Sequence, residues 1–423
     1  MKKVNIALLG FGNVGKGVWR ILNANKEDIC ERYGYEIEVK KILVKDLNKI
    51  REIKLQDGIL TDNFCDILNN ESIDIVVEVI GGEFPALEYV LEAMKRKKHI
   101  VTANKLCIAK HREILLKTSL EENVFLYYEA SVGGGIPIIK QINESLVSNK
   151  IEKITGILNG TTNYVLTKMD EENMSFEEAL NIAKEKGFAE VDSSSDIEGY
   201  DSLYKLAIMS SLCFKTSVNP KYILREGIEN IKKEDIEYAR SLGFTIKLLA
   251  VASLTDDNIE ARVRPCFISR ENQFATVKDS FNAISIKGDA VGEVITYGQG
   301  AGSMPTGSAV VSDILSILRN DLNYKSVNHY KGLKNELFVA NSDVESEFYI
   351  RINQDNNENI IKEFNEEFLS SNIKLSLVTK DKDNLIIITK KCNENILRNL
   401  INRVKNNLSV NFNVNIIKIE NFK

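Results

Sequence analysis

The chain has 423 residues, 43% hydrophobic and 27% charged, an ordinary globular composition with room for two or three domains. A net charge of -5 gives no basic stripe for nucleic acid, and no run approaches the ~18 apolar residues of a membrane span. Six cysteines without CxxC pairs and three dispersed histidines argue against a disulfide framework and a zinc site, and they point to a reduced, cytoplasmic protein.

The opening MKKVNIALLGFGNVG has two lysines and a short apolar run. Its glycines and the absence of a small-residue cleavage pattern make it a first β-strand rather than a signal peptide. VNIALL is followed by a glycine turn and the helical KGVWRILNAN. EIEVKKILV (36–44), DIVVEVI (74–80), KHIVTAN (98–104) and VFLYYEA (124–130) read as further strands with helical segments between them. Strands alternating with helices predict a parallel sheet with right-handed crossovers, a Rossmann-type α/β unit over 1–130. Near Ser131 the texture changes. Gly133-Gly134-Gly135-Ile136-Pro137 breaks the pattern, and an α+β region follows over 131–325. In it SFEEALNIAKEKGF predicts a helix with Ser175 as N-cap, Glu178 completing a capping box and Gly187 as the stop. ARVRPCFI and NAISIKG read as strands, and VVSDILSILRN after Pro305 as a helix. The tail, 345–423, reads βαββαβ, a ferredoxin-like unit.

Gly10-Phe11-Gly12-Asn13-Val14-Gly15 fits G-x-G-x-x-G between a strand and a helix, the context in which that string binds a dinucleotide. Glycines let backbone amides approach a pyrophosphate, which a helix N-terminus favours. An ordinary tight turn is the alternative. The second strand ends Leu43-Val44-Lys45-Asp46, so Lys45 offers a charge for a 2′-phosphate and Asp46 a partner for a ribose hydroxyl. This favours NADP over NAD, unless Lys45 is simply solvated.

GFAEVDSSSDIEGYDSLYKLA (187–207) gathers Glu190, Asp192, Asp196, Glu198 and Asp201 ahead of one lysine, Lys205. Asp201 and Lys205 are four apart and share a helix face. On a surface they would be a weak pair. The helix SLYKLAIMSSLCF is largely apolar, however, and an ammonium buried there needs partners. A lysine held among carboxylates is a candidate for positioning a substrate and moving a proton. Lys105, after the strand HIVTAN, stands at a strand's C-terminal end, where such sheets take ligands. A loop lysine on the surface is the other reading.

VTANK (101–105), EASVGGGIPII (129–139), GILNGTTNYVL (156–166) and GAGSMPTGSAVVSDI (300–314), in this order after the opening stretch, resemble homoserine dehydrogenase over about three quarters of the chain. The resemblance implies NAD(P)H-dependent, reversible reduction of aspartate 4-semialdehyde to homoserine, in threonine, methionine and isoleucine biosynthesis. It implies Lys205 as proton donor, Lys105 at the nicotinamide and reacting oxygen, and Glu190, Asp196 and Asp201 around the substrate. Asp192 and Glu198 are expected to face solvent. The family pattern has proline after the acidic Glu-x-Asp, where Ser193 and Ser194 stand here, so this loop is expected to be more mobile. Thr161-Thr162-Asn163 lie near the cofactor cleft in the family, with helix capping as their plain role. Gly187, Gly300 and Gly302 are implied at the cofactor. Glu129 with the carbonyls of Val132, Gly134 and Ile136 resembles the family's monovalent-cation loop, here for sodium. A plain glycine turn is the alternative. A homodimer or homotetramer is implied.

The tail resembles the ACT domain that regulates some members, with threonine as the expected feedback ligand. Its first strand-to-helix turn, Ile352 to Asn357, carries no glycine, which leaves assembly as an alternative role. Two other functions compete. An acylating semialdehyde dehydrogenase would need an activated thiolate, for which Cys107 with His111 is the candidate. A non-enzymatic nucleotide sensor would bind cofactor without turnover.

Overall fold

The computed structural model describes residues 2–255, 258–319, 345–353, 358–381, 384–408 and 412–420. β1 (Lys2–Leu9) leads to α1 (Asn13–Ala24), α2 (Lys26–Tyr33), β2 (Tyr35–Leu43), β3 (Leu60–Thr61), α3 (Cys65–Leu68), β4 (Ile75–Glu78), α4 (Ala86–Lys95), β5 (His99–Thr102), α5 (Lys105–Glu122) and β6 (Leu126–Tyr127). The strands pair parallel in the order β3-β2-β1-β4-β5-β6. Ile6 to Leu9 and Ile75 to Val77 are buried in succession, because helices cover both faces of a parallel sheet. The order reverses between β1 and β4, and a crevice opens outside their C-terminal ends. The strand predicted over 124–130 is shorter than expected. The amide of Glu129 is taken by Asp313 Oδ2 at 2.8 Å, so Glu129–Ser131 coil into a 3₁₀ turn instead of extending β6.

The chain continues through α6 (Ile138–Lys140), β7 (Ile151–Ile157), α7 (Gly160–Glu172), α8 (Phe176–Glu185), α9 (Ser194–Ile197), α10 (Tyr200–Cys213), β8 (Leu224–Arg225), α11 (Lys233–Ser241), β9 (Phe244–Leu254), β10 (Ile259–Ser269), β11 (Phe281–Gly288), β12 (Gly292–Gln299) and α12 (Ser303–Arg319). The capping box at Ser175 forms, and α8 ends in a Schellman arrangement at Gly187, with Phe188 N–H on Ala183 O at 2.9 Å and Gly187 N–H on Lys184 O at 3.0 Å. α12 returns to the first sheet, where Val310, Ile314 and Ile317 are buried with Val18 and Leu22. The expected end of the second unit at 325 lies outside the described residues.

The tail folds as β13 (Glu347–Asn353), α13 (Glu358–Ser370), β14 (Leu375–Asp381), β15 (Asn384–Thr389), α14 (Glu394–Leu408) and β16 (Val414–Ile419). Its order β16-β13-β15-β14 is ferredoxin-like, as the βαββαβ pattern predicts. One feature is not visible in the pattern. β16 pairs in parallel with β10, so the tail extends the second sheet to β12-β11-β7-β9-β10-β16-β13-β15-β14, with β8 also on β10. The glycine-free turn from Ile352 to Asn357 falls largely, at 354–357, outside the described residues. Among the described residues no helix is long and apolar enough to cross a membrane.

Candidate active site

α10 is buried almost throughout, and Lys205 on it is 8% exposed. Its ammonium donates to Asp201 Oδ2 at 2.7 Å and to the Leu158 carbonyl at 2.8 Å. The other carboxylate oxygen, Asp201 Oδ1, lies 2.7 Å from Lys105 Nζ. One carboxylate therefore bridges two ammonium groups from different units. Burial would raise the Asp201 carboxyl, but Lys205 and Lys105 together hold it below the usual range, so it stays an anion. Asp201, ahead of burial, raises Lys105, which remains a cation. The Lys105 side chain is 40% exposed and so still meets solvent, which is what a group that contacts a ligand requires.

Lys105 is the first residue of α5. Asn104 caps this helix, accepting from Cys107 N–H at 3.1 Å, while its amide donates to the Gly82 carbonyl at 2.7 Å. Buried Glu78 fixes the same turn: it accepts from Thr102 Oγ1 at 2.6 Å and from the Ile80 amide at 2.9 Å. Asn159 caps α7 and does a second job. It accepts from Thr162 N–H at 2.8 Å and donates to Asp196 Oδ1 at 2.8 Å and Asp201 Oδ2 at 2.9 Å. Thr161 Oγ1 lies 3.1 Å from Asp196 Oδ2. Burial, then Asp201, pushes the Asp196 carboxyl up. Thr162 and Asn163 behave as capping and core groups, with Asn163 turned to Lys247 and the Val277 carbonyl.

Glu190 is exposed and has no ion pair among the described residues; its charge adds, after Asp201 and Asp196, to the upward push on Lys105. Asp192 is exposed and accepts from Ser194. Glu198 is less open than expected, because Arg225 binds its carbonyl and lies 3.7 Å from its carboxylate.

The glycine segments meet at the far side of the crevice. Gly10 has φ +106° and packs on Val79 and Ile80; a Cβ on Gly15 would lie 2.4 Å from Gly10 O. A Cβ on Gly12 would meet nothing within 4 Å, so this backbone faces open space, as a cradle for a pyrophosphate must. α1 starts with no side-chain cap, leaving its first amides for a ligand. Ser303 Oγ donates to Asn13 O, which ties the loop of Gly300 and Gly302 to this turn. A Cβ on Gly134 would lie 2.5 Å from the Gly300 carbonyl carbon, so the glycine turn of 133–135 joins the same knot. Lys45 is exposed beyond β2, whose Leu43 carbonyl accepts the Gly10 amide at 3.0 Å. Asp46 is used locally, accepting from Asn48 N–H at 2.8 Å. Gly187, at φ +74°, serves as the stop of α8, with open space where its Cβ would be.

Glu129 spends one oxygen on the Ile139 amide at 2.7 Å and the other on the Lys140 amide at 2.8 Å. Burial and Asp313 push its carboxyl up to about 7, and burial pushes Asp313 up to about 6. Lys140 lies 3.4 Å from Asp313 Oδ1, which makes no hydrogen bond among the described residues. Two buried carboxylates thus face one ammonium. That imbalance suits a monovalent cation. Ile136 O accepts the Ile138 amide at 2.8 Å. The sequence pattern did not reveal the roles of Asp313, Asn159 or Glu78, because each meets a partner brought in from elsewhere in the chain: Glu129, Asp201 and Thr102 respectively.

Cys107 is no thiolate. Burial, with Glu78 and Glu83, pushes it up to about 12, and its Sγ faces the Gly82 and Glu83 carbonyls. His111 is turned to Glu83 at 2.7 Å instead.

Comparison with known proteins bears on this geometry. A family model described as homoserine dehydrogenase matches residues 137–315, and one described as the homoserine dehydrogenase NAD-binding domain matches 10–129. Homoserine dehydrogenase of Bacillus subtilis is 38% identical over 412 residues, covering 95% of each chain. The chain belongs to the homoserine dehydrogenase family. A homoserine dehydrogenase from Thiobacillus denitrificans superposes with a TM-score of 0.90 at 34% identity, covering 100% of this chain and 99% of that one. A hyperthermophilic archaeal homoserine dehydrogenase, solved with NADPH, gives 0.63 at 27% identity over 74% of this chain and 97% of its own. As a homoserine dehydrogenase the chain is an NAD(P)-dependent oxidoreductase acting on a CH–OH group, interconverting homoserine and aspartate 4-semialdehyde. The acylating and non-enzymatic alternatives are thereby set aside.

Proposed function

We propose that Lys205, Asp201 and Lys105 form the catalytic centre of this homoserine dehydrogenase. The observation that carries the proposal is the single carboxylate of Asp201 held 2.7 Å from each ammonium. A bound nicotinamide would supply or accept the hydride that the reaction needs. Lys205 gives a proton to the developing alkoxide and takes it back in the oxidative direction. The Leu158 carbonyl and Asp201 aim its ammonium. Lys105 places a second positive charge at the same oxygen, stabilising the alkoxide. Glu190, Asp196 and Asp201 hold the amino-acid end of the substrate, with Glu190 accepting from its α-ammonium.

The residues fit the cofactor. Gly10, Phe11, Gly12, Asn13, Val14 and Gly15 take the pyrophosphate, and Gly187, Gly300 and Gly302 border it. Lys45 takes the 2′-phosphate, so NADP is preferred to NAD; the NADPH bound to the archaeal relative supports this. Sodium is held by Glu129 and the carbonyls of Val132, Gly134 and Ile136, ordering the hinge without taking part in the chemistry. The proposal further takes the chain as three units (1–130, 131–325 and 345–423), an ACT-like tail open to threonine, a homodimer or homotetramer, and a cytoplasmic enzyme of threonine, methionine and isoleucine synthesis.

Asp201→Asn tests the centre. It removes the charge that both lysines share, and truncating one partner of a buried pair costs ~3 kcal/mol or more. Turnover of homoserine is expected to fall at least ~10²-fold with NADPH binding retained. Undiminished turnover would remove Asp201 from the mechanism. Replacing sodium by choline is expected to lower the melting temperature of wild type but not of Glu129→Gln; equal responses would dismiss the cation site.

A further inference from the structure

The acidic stretch must be held from behind, since Asp196 and Asp201 flank a short turn. That turn, Ile197 to Gly199, rests on the segment after β8. The Ile197 carbonyl accepts the Ile228 amide at 2.9 Å, and a Cβ on Gly227 would lie 2.6 Å from Glu198 Cα. Arg225 closes the contact. Its guanidinium binds the Glu198 carbonyl, stacks 3.7 Å from the centre of the Tyr200 ring and donates to Tyr200 Oη at 2.9 Å. Tyr200 is the residue before Asp201 and opens α10.

The next residue, Glu226, belongs to a closed ring of charges. Glu226 and Glu394 each span the two arginines Arg264 and Arg398. Arg264 lies 2.8 Å from Glu226 and 2.7 Å from Glu394; Arg398 meets Glu226 with one nitrogen and lies 2.7 Å from Glu394. Arg264 is on β10 and has no exposed side-chain surface, while Glu394 and Arg398 are on α14 of the tail. Two anions and two cations balance around Arg264, whose fully buried guanidinium could not stay there unpaired. The ring therefore fixes Glu226, and with it Arg225, to both the tail and the central sheet.

We propose that Arg225 is a positioning residue for the substrate-binding carboxylates Asp196 and Asp201, and that the tail holds it in place through the Glu226–Arg398 contact. This rests on the reading that Asp196 and Asp201 face the substrate. The tail then serves catalysis as a brace, with or without a ligand of its own.

Steady-state oxidation of homoserine by the full-length enzyme at saturating NADP tests it. Arg225→Ala is expected to raise the KM for homoserine about tenfold while the KM for NADP stays unchanged, since a small misplacement of binding groups is felt by the substrate they hold. Arg225→Lys should recover part of that loss. Arg398→Ala, on the tail, is expected to give about threefold in the same direction, and adding it to Arg225→Ala should give nothing further. Should Arg225→Ala not fold, Tyr200→Phe and Arg398→Ala carry the same test. The proposal is overturned if these variants leave the homoserine KM unchanged, or if both KM values rise together with a fall in melting temperature. Lys205→Ala separates the two levels. If it turns over normally, the site reading fails; if it is inactive while the Arg225 variants are normal, only the brace fails.

Discussion

Asp196 and Asp201 both accept from the side-chain amide of Asn159, yet their carboxyls are driven apart. Asp201 is lowered by two ammonium groups; Asp196, with no ion pair among the described residues, is raised by burial and by Asp201. Substrate binding that needs an ionised Asp196 must fail as pH falls through a value above the ordinary ~3.9, and the limb should vanish in Asp196→Asn. A kcat/KM profile for homoserine measures this; a wild-type limb that Asp196→Asn leaves in place would contradict it. The Asp201–Lys205 pair could be read from the sequence because an apolar helix cannot bury a lone lysine; Lys105 was read only from its place at a strand's end and from the family resemblance. Asn159, which the sequence did not single out, caps α7. Its second role, joining Asp196 to Asp201, depends on β7 and α10 meeting, which no local pattern encodes.

At the scale of elements, the glycine turn works because α1 and α12 touch. A Cβ on Gly17 would lie 2.0 Å from Ser303 O and 2.7 Å from its carbonyl carbon, and a Cβ on Gly307 would lie 2.8 Å from the Gly17 carbonyl carbon. Both are backbone contacts and cannot give way cheaply. Gly17→Ala is expected to cost about 1–3 kcal/mol by overpacking and to weaken NADPH binding by pushing Ser303 off the Asn13 turn. Thermal melting and NADPH titration measure the two effects; an unchanged affinity would mean that the crossing does not shape the turn. The helices and long strands followed from periodicity and capping signals. Two-residue strands such as β3 and β8 did not, because so short a run carries no period. β6 fell short of its expected length because Asp313, nearly two hundred residues away, claims the amide that would have continued it.

For the whole molecule, the tail was readable as a ferredoxin-like unit but its attachment was not. Parallel pairing of β16 on β10 and the ring around Arg264 are set by tertiary contacts. The archaeal relative matches only 74% of this chain, so the fold exists at shorter length. In this chain, deleting 345–423 would strip an ordered partner from β10 and leave buried Arg264 without Glu394. A loss of ~3 kcal/mol or more is expected in denaturant unfolding, with partial recovery in a truncated Arg264→Leu chain. A truncated protein as stable as the full chain would show the tail to be an appendage. The central claim is reached most directly by following nicotinamide absorbance with homoserine and NADP in wild type and Lys205→Ala. The account predicts turnover in wild type and a loss of ~10² or more in the variant, with NADPH still bound. Normal turnover by Lys205→Ala would contradict it and leave the buried lysine a structural partner of Asp201.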